Sequence, residues 1–304
     1  MIDGVGTSQH PSERFLRDFH DRMPGGSPPA FTLCAVRDES GAIHDHTYAA
    51  LVSGVAQAVA EQNCEVIRLL DLACGDGYLL EQFLGCDGAR QPALALTGVD
   101  LSRGELQAAH ARLGDAAKLL QARAQALPFA DASFDVVTCH MALMLLHDPD
   151  TVLREIGRVL APAGALHALV GASVAPPNAQ PAPVWRAWQQ ALQGEPRSPV
   201  WQDVTFAPGR RWREREQLQT LVSTCFGQVR IELLQGCLSL TAEEAWQWLA
   251  GMYDLHLLPV EAHSRVRHRF IDISSGMADA SGRLALDLAS WRIVARQPKP
   301  ASHS

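Results

Sequence analysis

Apolar residues fall along the chain in two rhythms. Short, nearly unbroken apolar runs, the mark of buried strands, occur at 69–72, 96–101, 136–139 and 165–170. Around them apolar positions recur at helical spacing over 47–62, 150–160 and 213–225. Residues 228–240 predict a further strand. Thr241, followed by Glu243 and Glu244, is a helix N-cap with acids in the first turn. It opens a helix running through Trp248 to about 253, and helical pattern continues to about 276. Alternating Leu284, Leu286 and Leu288 place a last strand at 283–296. Residues 1–30, with Gly25-Gly26-Ser27-Pro28-Pro29, predict a mobile arm. The alternation of strand and helix up to about 173 is the order of an α/β sheet.

Within that pattern, the stretch Leu69-Leu70-Asp71-Leu72-Ala73-Cys74-Gly75-Asp76-Gly77-Tyr78-Leu79-Leu80 carries the chemistry. A buried strand ends in an acid, turns through small residues and re-enters an apolar helix. Gly75 and Gly77 let a ligand approach the backbone, and the helix N-terminus offers unpaired N–H groups. A second strand, Leu96-Thr97-Gly98-Val99-Asp100-Leu101-Ser102, also ends in an acid, placed to accept both hydroxyls of a ribose. A nucleoside-type cofactor follows. A dinucleotide fingerprint needs a third glycine at position 80, where Leu80 stands.

The acid before the turn and the absence of that glycine resemble motif I of class I S-adenosylmethionine (SAM) methyltransferases. Further along come Ala122-Arg123-Ala124-Gln125-Ala126-Leu127-Pro128-Phe129, Phe134-Asp135-Val136-Val137-Thr138-Cys139-His140, and Leu145-Leu146-His147-Asp148-Pro149-Asp150. The run closes on Leu153-Arg154-Glu155-Ile156-Gly157-Arg158-Val159-Leu160-Ala161-Pro162-Ala163-Gly164. This order is similar to the methyltransferase type 11 group, which contains ubiquinone/menaquinone C-methyltransferases, and it covers roughly residues 66–173. The resemblance implies a Rossmann-like, seven-stranded, mostly parallel sheet with an antiparallel last strand, here with helical cap inserts. It implies SAM as cofactor and S-adenosylhomocysteine as product. Asp71 would face the amino group of SAM; Ala73, Gly75 and Gly77 would lie against its methionine part. Asp100 would hold the ribose, Leu101 would pack on adenine, and Arg123, Ala124 and Gln125 would flank the adenine edge. His140 would stand at the mouth of the fourth strand. Relatives usually carry Asp or Asn where Arg123 stands, to recognise the adenine amino group. Arginine accepts no hydrogen bond, so Gln125 or a backbone carbonyl takes that role, or the adenine contact is weaker.

Around this core the chain divides into a 1–30 arm, a 31–65 N-terminal helical cap and a 66–174 SAM-binding core. A Pro- and Trp-rich insert follows at 175–212, then a core continuation at 213–240, a helical cap insert at 241–282, the last strand at 283–298 and a 299–304 tail. Six of the seven tryptophans lie between Trp185 and Trp248, with Trp185/Trp188 and Trp246/Trp248 as pairs. They either pack a cap onto the core or wall a flat or apolar acceptor. The first insert leaves a strand's carboxyl end; the second is placed over the same edge by analogy.

Methyl transfer from a sulfonium is an in-line displacement that needs alignment, exclusion of water and, for some acceptors, a base. His140 is the candidate for that base. Tyr48, Met141, Tyr253 and His256 are candidate acceptor contacts, with His44 and His46 near Tyr48. His147 reads as an exposed turn residue.

Composition narrows the class. A chain of 304 residues, 47% hydrophobic, can bury one large core plus an appendage. No run of 18 apolar residues predicts a membrane span, and residues 1–10 are polar without a basic segment. Seven cysteines without a C-x-x-C pair predict reduced thiols, a cytoplasmic setting and no metal. A net charge of −7 argues against nucleic acid. Two basic clusters, at Arg210, Arg211, Arg213 and Arg215 and at His263, Arg265, Arg267, His268 and Arg269, read as solvated helix faces or as clamps for an anionic substrate. The expected function is methyl transfer to an O, N or C atom of a small-molecule acceptor, in secondary metabolism or quinone-like chemistry. The alternative is a SAM-binding cyclase or decarboxylase; a protein- or RNA-modifying enzyme ranks third. Oligomeric state stays open, a homodimer being one option.

Overall fold

A computed structural model describes residues 10–60, 64–85, 92–172, 182–206 and 210–299. The strands are β1 (Val36–Asp38), β2 (Ile43–His44), β3 (Val66–Leu72), β4 (Ala93–Asp100), β5 (Ala117–Gln121), β6 (Phe134–His140), β7 (Leu160–Gly171), β8 (Phe226–Leu240) and β9 (Leu284–Pro298). Helices α1 (Pro11–Arg22), α2 (Ser27–Phe31) and α3 (Thr47–Ala60) precede the core. Helices α4 (Tyr78–Leu84), α5 (Arg103–Leu113) and α6 (Pro149–Val159) connect its parallel strands. The remainder are α7 (Pro183–Leu192), α8 (Arg210–Arg213), α9 (Arg215–Ser223), α10 (Ala242–Leu249), α11 (Tyr253–His256) and α12 (Val260–Ser275).

One sheet runs in the order β2-β1-β8-β9-β7-β6-β3-β4-β5. Strands β3 to β7 pair in parallel, and β9 runs antiparallel to both β7 and β8, as expected. The sheet has nine strands rather than seven. The two additional ones are the hairpin β1–β2, which joins the edge through β1 pairing with β8. It lies inside the segment expected to be a helical cap. Its strands are only three and two residues long, too short for periodicity to register.

The expected mobile arm is corrected over Pro11–Arg22, which is a helix with buried Phe15, Leu16 and Phe19. That apolar face packs on Val204 and Leu257. Asp21 anchors the other end of α1, accepting from the Ser102 hydroxyl at 2.7 Å and the Gly104 N–H at 3.0 Å. Residues 1–9 of the arm lie outside the described residues, as do the opening of the Pro/Trp insert at 173–181 and the tail from 300.

Strands β8 and β9 stay paired from Phe226↔Pro298 to Leu240↔Leu284, whereas β7 pairs β9 only up to Gly171↔Ser290. The ribbon therefore overshoots the carboxyl edge of the parallel strands. On its overhang, Leu238, Leu240, Leu284 and Leu286 pack with α7, α10 and α12 to form the cap core, around Trp188, Trp246 and Phe270. Thr241 caps α10 as expected, in a reciprocal capping box with Glu244. The tryptophans pair between helices rather than along them: Trp185 with Trp248 at 5.6 Å and Trp188 with Trp246 at 6.1 Å.

A buried ion cluster locks the hairpin and α3 to this ribbon. Arg292 on β9 bridges Glu232 at 2.6 Å and Asp38 at 3.1 Å, and donates to the Ala50 carbonyl at 3.2 Å. Both carboxylates are 6% exposed. Removing the guanidinium leaves Glu232 only the exposed Arg230 at 3.5 Å, while Asp38 keeps His44 and the Ser40 and Ala42 donors, so Arg292→Ala should cost about 1–3 kcal/mol of stability. Urea unfolding of the two proteins measures it; a loss below 1 kcal/mol would show the cluster to be dispensable.

Candidate active site

The carboxyl ends of β3, β4 and β6 open into a cavity of about 2330 Å³. That exceeds the roughly 300–1,000 Å³ of ordinary ligand pockets. Its floor is built by crossing hydrogen bonds between neighbouring strand ends. The Cys74 N–H donates to the Val99 carbonyl at 3.0 Å, and the Gly75 N–H donates to Asp100 Oδ2 at 3.0 Å. Asp100 Oδ1 accepts from the Ser102 N–H at 2.8 Å. Each Asp100 oxygen thus takes one backbone donor and keeps a lone pair for a diol. Burial raises the Asp100 pKa, opposed by these backbone bonds. Asp71, 2% exposed, accepts from the Thr138 hydroxyl at 2.8 Å. Burial pushes its pKa up to about 7, with the Thr138 bond opposing and the Asp100 charge adding to the rise.

The turn after β3 needs left-handed backbone at Ala73 (φ 57), Gly75 (φ 53) and Gly77 (φ 78). Of these, Ala73 and Gly75 line the cavity, with Asp71, Asp100, Leu101, Arg123, Ala124, Gln125 and His140. Gly77 does not. A Cβ there would sit 2.7 Å from Leu113 Cδ1 and 3.2 Å from Ala109 Cβ, so this glycine serves the close packing of α4 against α5.

The candidate acceptor residues separate. Tyr48, Met141 and Tyr253 line the cavity. His256 is not among the lining residues; its Nε2 bonds the Ala250 carbonyl at 2.9 Å and its ring packs on Phe19. His44 pairs with Asp38 and His46 accepts from the Ala49 N–H, both away from the lining. His140 stacks on Tyr48 with centroids 3.7 Å apart, and its Nε2 lies 2.9 Å from the Thr47 hydroxyl. Burial lowers its pKa to about 3, and His46 adds to the effect, so the ring is neutral at pH 7. His147 stacks on His10 at 3.8 Å.

Four more lining residues bear on the site, of which only Tyr253 was among the candidates, and three of them form a chain of contacts. Glu105 Oε1 meets His20 Nδ1 at 2.7 Å, and His20 Nε2 meets the Tyr253 hydroxyl at 2.9 Å. Glu105 Oε2 also accepts the Gly25 N–H at 2.9 Å. The fourth is Glu13 on α1, paired with Arg123 at 2.9 Å. The available signal was the Phe15-Leu16…Phe19 spacing behind Pro11 and Ser12, which predicts a helix; the glycines and prolines beyond it outweighed that signal. The far wall of the cavity holds Trp185, Trp188, Trp248, Leu240, Met252 and Leu288.

This donor set fits SAM: a buried carboxylate for an ammonium and another for a ribose diol, with no cluster of donors for a pyrophosphate. Residues 70–168 match the model of a methyltransferase domain. The demethylmenaquinone methyltransferase of Lactococcus lactis subsp. lactis is 41% identical over 105 residues, 32% of this chain and 39% of that protein. The O-methyltransferase resE of Aspergillus sclerotiorum is 35% identical over 104 residues, 33% of this chain and 38% of that protein. The chain thus spans about two-fifths of the length of the curated relatives it matches. In fold, it is similar to the crystal structure of the [4+2]-cyclase SpnF, with a TM-score of 0.52 and 17% identity over 97% of this chain and 99% of that one. The matched segment is therefore a methyltransferase domain, and SAM is the cofactor its site residues fit. Over about a third of the chain it is similar to C-methyltransferases of ubiquinone/menaquinone biosynthesis and to an O-methyltransferase.

Ala73 occupies a conformation that costs an L-residue about 1–2 kcal/mol, while glycine carries an entropic cost of about 0.5–1. Ala73→Gly should therefore leave stability unchanged or raise it by up to about 1 kcal/mol in thermal melts. A clear loss would mean that the turn is not strained there.

Proposed function

We propose that the protein transfers the methyl group of SAM to an O, N or C atom of a bulky, largely apolar small molecule. The observation that carries this reading is the single cavity joining Asp71, Gly75 and Asp100 to the tryptophan-bearing cap. One lobe has the groups a sulfonium nucleoside needs; the other has the size and apolar walls of an acceptor pocket. Asp71 takes the ammonium of the cofactor and Asp100 the ribose hydroxyls; Ala73 and Gly75 flank the methionine part. Leu101, Ala124 and Gln125 border the base. His140, neutral and fixed by Thr47 and Tyr48, contacts the acceptor at the mouth of β6; with its pKa lowered to about 3 it is a weak base, and its part is to position the acceptor. Met141, Tyr48 and Tyr253 shape the same mouth. The cap excludes water from the displacement.

The test is binding followed by turnover. SAM and S-adenosylhomocysteine should each raise the melting temperature and NAD⁺ should not; a ligand at a hundred times its Kd adds about 2.7 kcal/mol. Asp100→Ala should abolish the shift while leaving the circular dichroism spectrum intact. His140→Ala should retain SAM binding and slow formation of S-adenosylhomocysteine on an accepted substrate; an unchanged rate would dismiss the residue from the acceptor site. Acceptor conversion without loss of the methyl group from SAM would favour the cyclase or decarboxylase reading instead.

Asp71 also gives this site a pH dependence. Its pKa is raised from 3.8 to about 7 in the ligand-free protein. The stability it contributes is full below 3.8 and is lost as pH rises through about 7. Cofactor binding runs the other way, because the ammonium selects the carboxylate. SAM affinity should fall by up to about tenfold per pH unit below 7 and level off above 8. Asp71→Asn should flatten that profile in calorimetric titrations from pH 5.5 to 8.5. A slope surviving in the variant would remove Asp71 from this role.

A further inference from the structure

Position 123 leaves a problem that the described fold answers from an unexpected direction. Beyond Asp100, the cofactor lobe is bordered by Leu101, then by Ala122, Arg123 and Ala124 at the end of the neighbouring strand β5. A nucleoside whose ribose sits on Asp100 points its base along this border. An adenine presents there a 6-amino donor beside a ring-nitrogen acceptor. Arginine can serve the ring nitrogen but not the amino group.

The missing acceptor comes from α1. Glu13 borders the same cavity and is 4% exposed; its Oε1 accepts from Arg123 Nη2 at 3.0 Å, while its buried Oε2, 2.9 Å from the same nitrogen, has no hydrogen-bond partner among the described residues. A carboxylate has about four lone-pair sites, so this pairing leaves acceptor capacity. Arg123 Nε is itself buried without a hydrogen-bond partner among the described residues. The pair thus offers an acceptor next to a donor. Helix α1 runs alongside the nucleoside lobe. His20 sits at the Asp100 end, where its charge acts on Asp100, and Glu13 at the Arg123 end. The two are separated by two helical turns, about 10 Å, the reach from a ribose to the far edge of its base. Gln125 is the rival acceptor: its amide nitrogen donates to the His147 carbonyl at 2.6 Å, which leaves its amide oxygen to accept.

We propose that Glu13, brought from the N-terminal helix and oriented by Arg123, is the residue that selects adenine by accepting its 6-amino group. The proposal rests on SAM being the cofactor. Glu13 is a specificity determinant of the cofactor site, not a participant in methyl transfer, and it makes α1 part of the nucleoside pocket.

The test compares S-adenosylhomocysteine with S-inosylhomocysteine, in which a carbonyl replaces the 6-amino group and the ring nitrogen becomes a donor. By isothermal titration the wild type should prefer the adenosyl ligand by about 10-fold or more, the worth of a charge-assisted hydrogen bond. Glu13→Ala should reduce that preference to about 3-fold or less. Glu13→Gln keeps the volume and the contact to Arg123, and its amide can turn a donor to the carbonyl. It should bind the inosyl ligand more tightly than the wild type does, a change that loss of folding does not produce. Equal weakening of both ligands in Glu13→Ala, with the preference intact, would overturn the proposal and leave Glu13 as a packing residue. Loss of the preference in Gln125→Ala but not in Glu13→Ala would assign the acceptor to Gln125 instead. A wild type that binds both ligands alike would sink the proposal while leaving the cofactor reading standing. A folded wild type that binds neither would bring down both.

Discussion

Two buried carboxylates at the carboxyl edge of one parallel sheet are the constraint around which this molecule is organised. Asp71 and Asp100 end neighbouring strands; burial raises the pKa of both, and the Asp100 charge adds to the rise at Asp71. A protein interior tolerates such groups only when they are hydrogen-bonded or partly neutralised. Here the turn after β3 and the N-terminus of α5 donate to Asp100, while Thr138 donates to Asp71. The same bonds that make the acids tolerable set the shape of the turn. The residual unfavourable burial is the feature that a cationic, diol-bearing ligand relieves.

Everything outside the core covers this edge. The β8–β9 ribbon projects past it and carries the α7, α10 and α12 cap. From the opposite side, α1 lies across the nucleoside lobe, tied by Asp21 to Ser102 and by His20 to Glu105 and Tyr253. These ties are polar and directional, whereas the cap holds itself together through apolar contacts between tryptophans and leucines. That division suits a site in which a constant cofactor meets fixed polar partners and the acceptor meets a wall that excludes water. Enclosure from two sides also explains the neutral His140: the ring is stacked on Tyr48 and out of bulk solvent. The same burial that keeps the imidazole neutral leaves it a weak base, so its fixed ring serves the site through contact.

The parts legible in the sequence are those whose signal is local. The strand–turn–helix at 69–80, the acid closing β4 and the capping box at Thr241 all rest on residues adjacent in the chain, whereas the antiparallel direction of the last strand came from the family resemblance. The second insert was placed over this edge by analogy alone, and the topology of the sheet gives the physical reason it begins there. Because β8 runs parallel to β7, its far end falls on the site side, and whatever follows it must begin there. The role of Gly77 was misassigned for the complementary reason. Its fingerprint position points to the cofactor, but the atoms a Cβ would meet belong to Leu113 and Ala109, more than thirty residues away. The β1–β2 hairpin escaped because strands of two and three residues carry no period.

What the sequence by itself determined is the sheet, its acidic edge and the nucleoside chemistry at that edge. Each follows from hydrophobic periodicity and from turn residues whose conformational demands are met within a few positions. What only the tertiary structure decided is the cover: the tryptophan pairs across α7 and α10, the Arg292 cluster, and the arrival of α1 with Glu13 and His20 over the pocket. Those contacts join residues from 58 to 254 positions apart. No local pattern encodes them, because a side chain's partner across a cavity depends on where whole elements pack, and that is fixed by burying their apolar faces together.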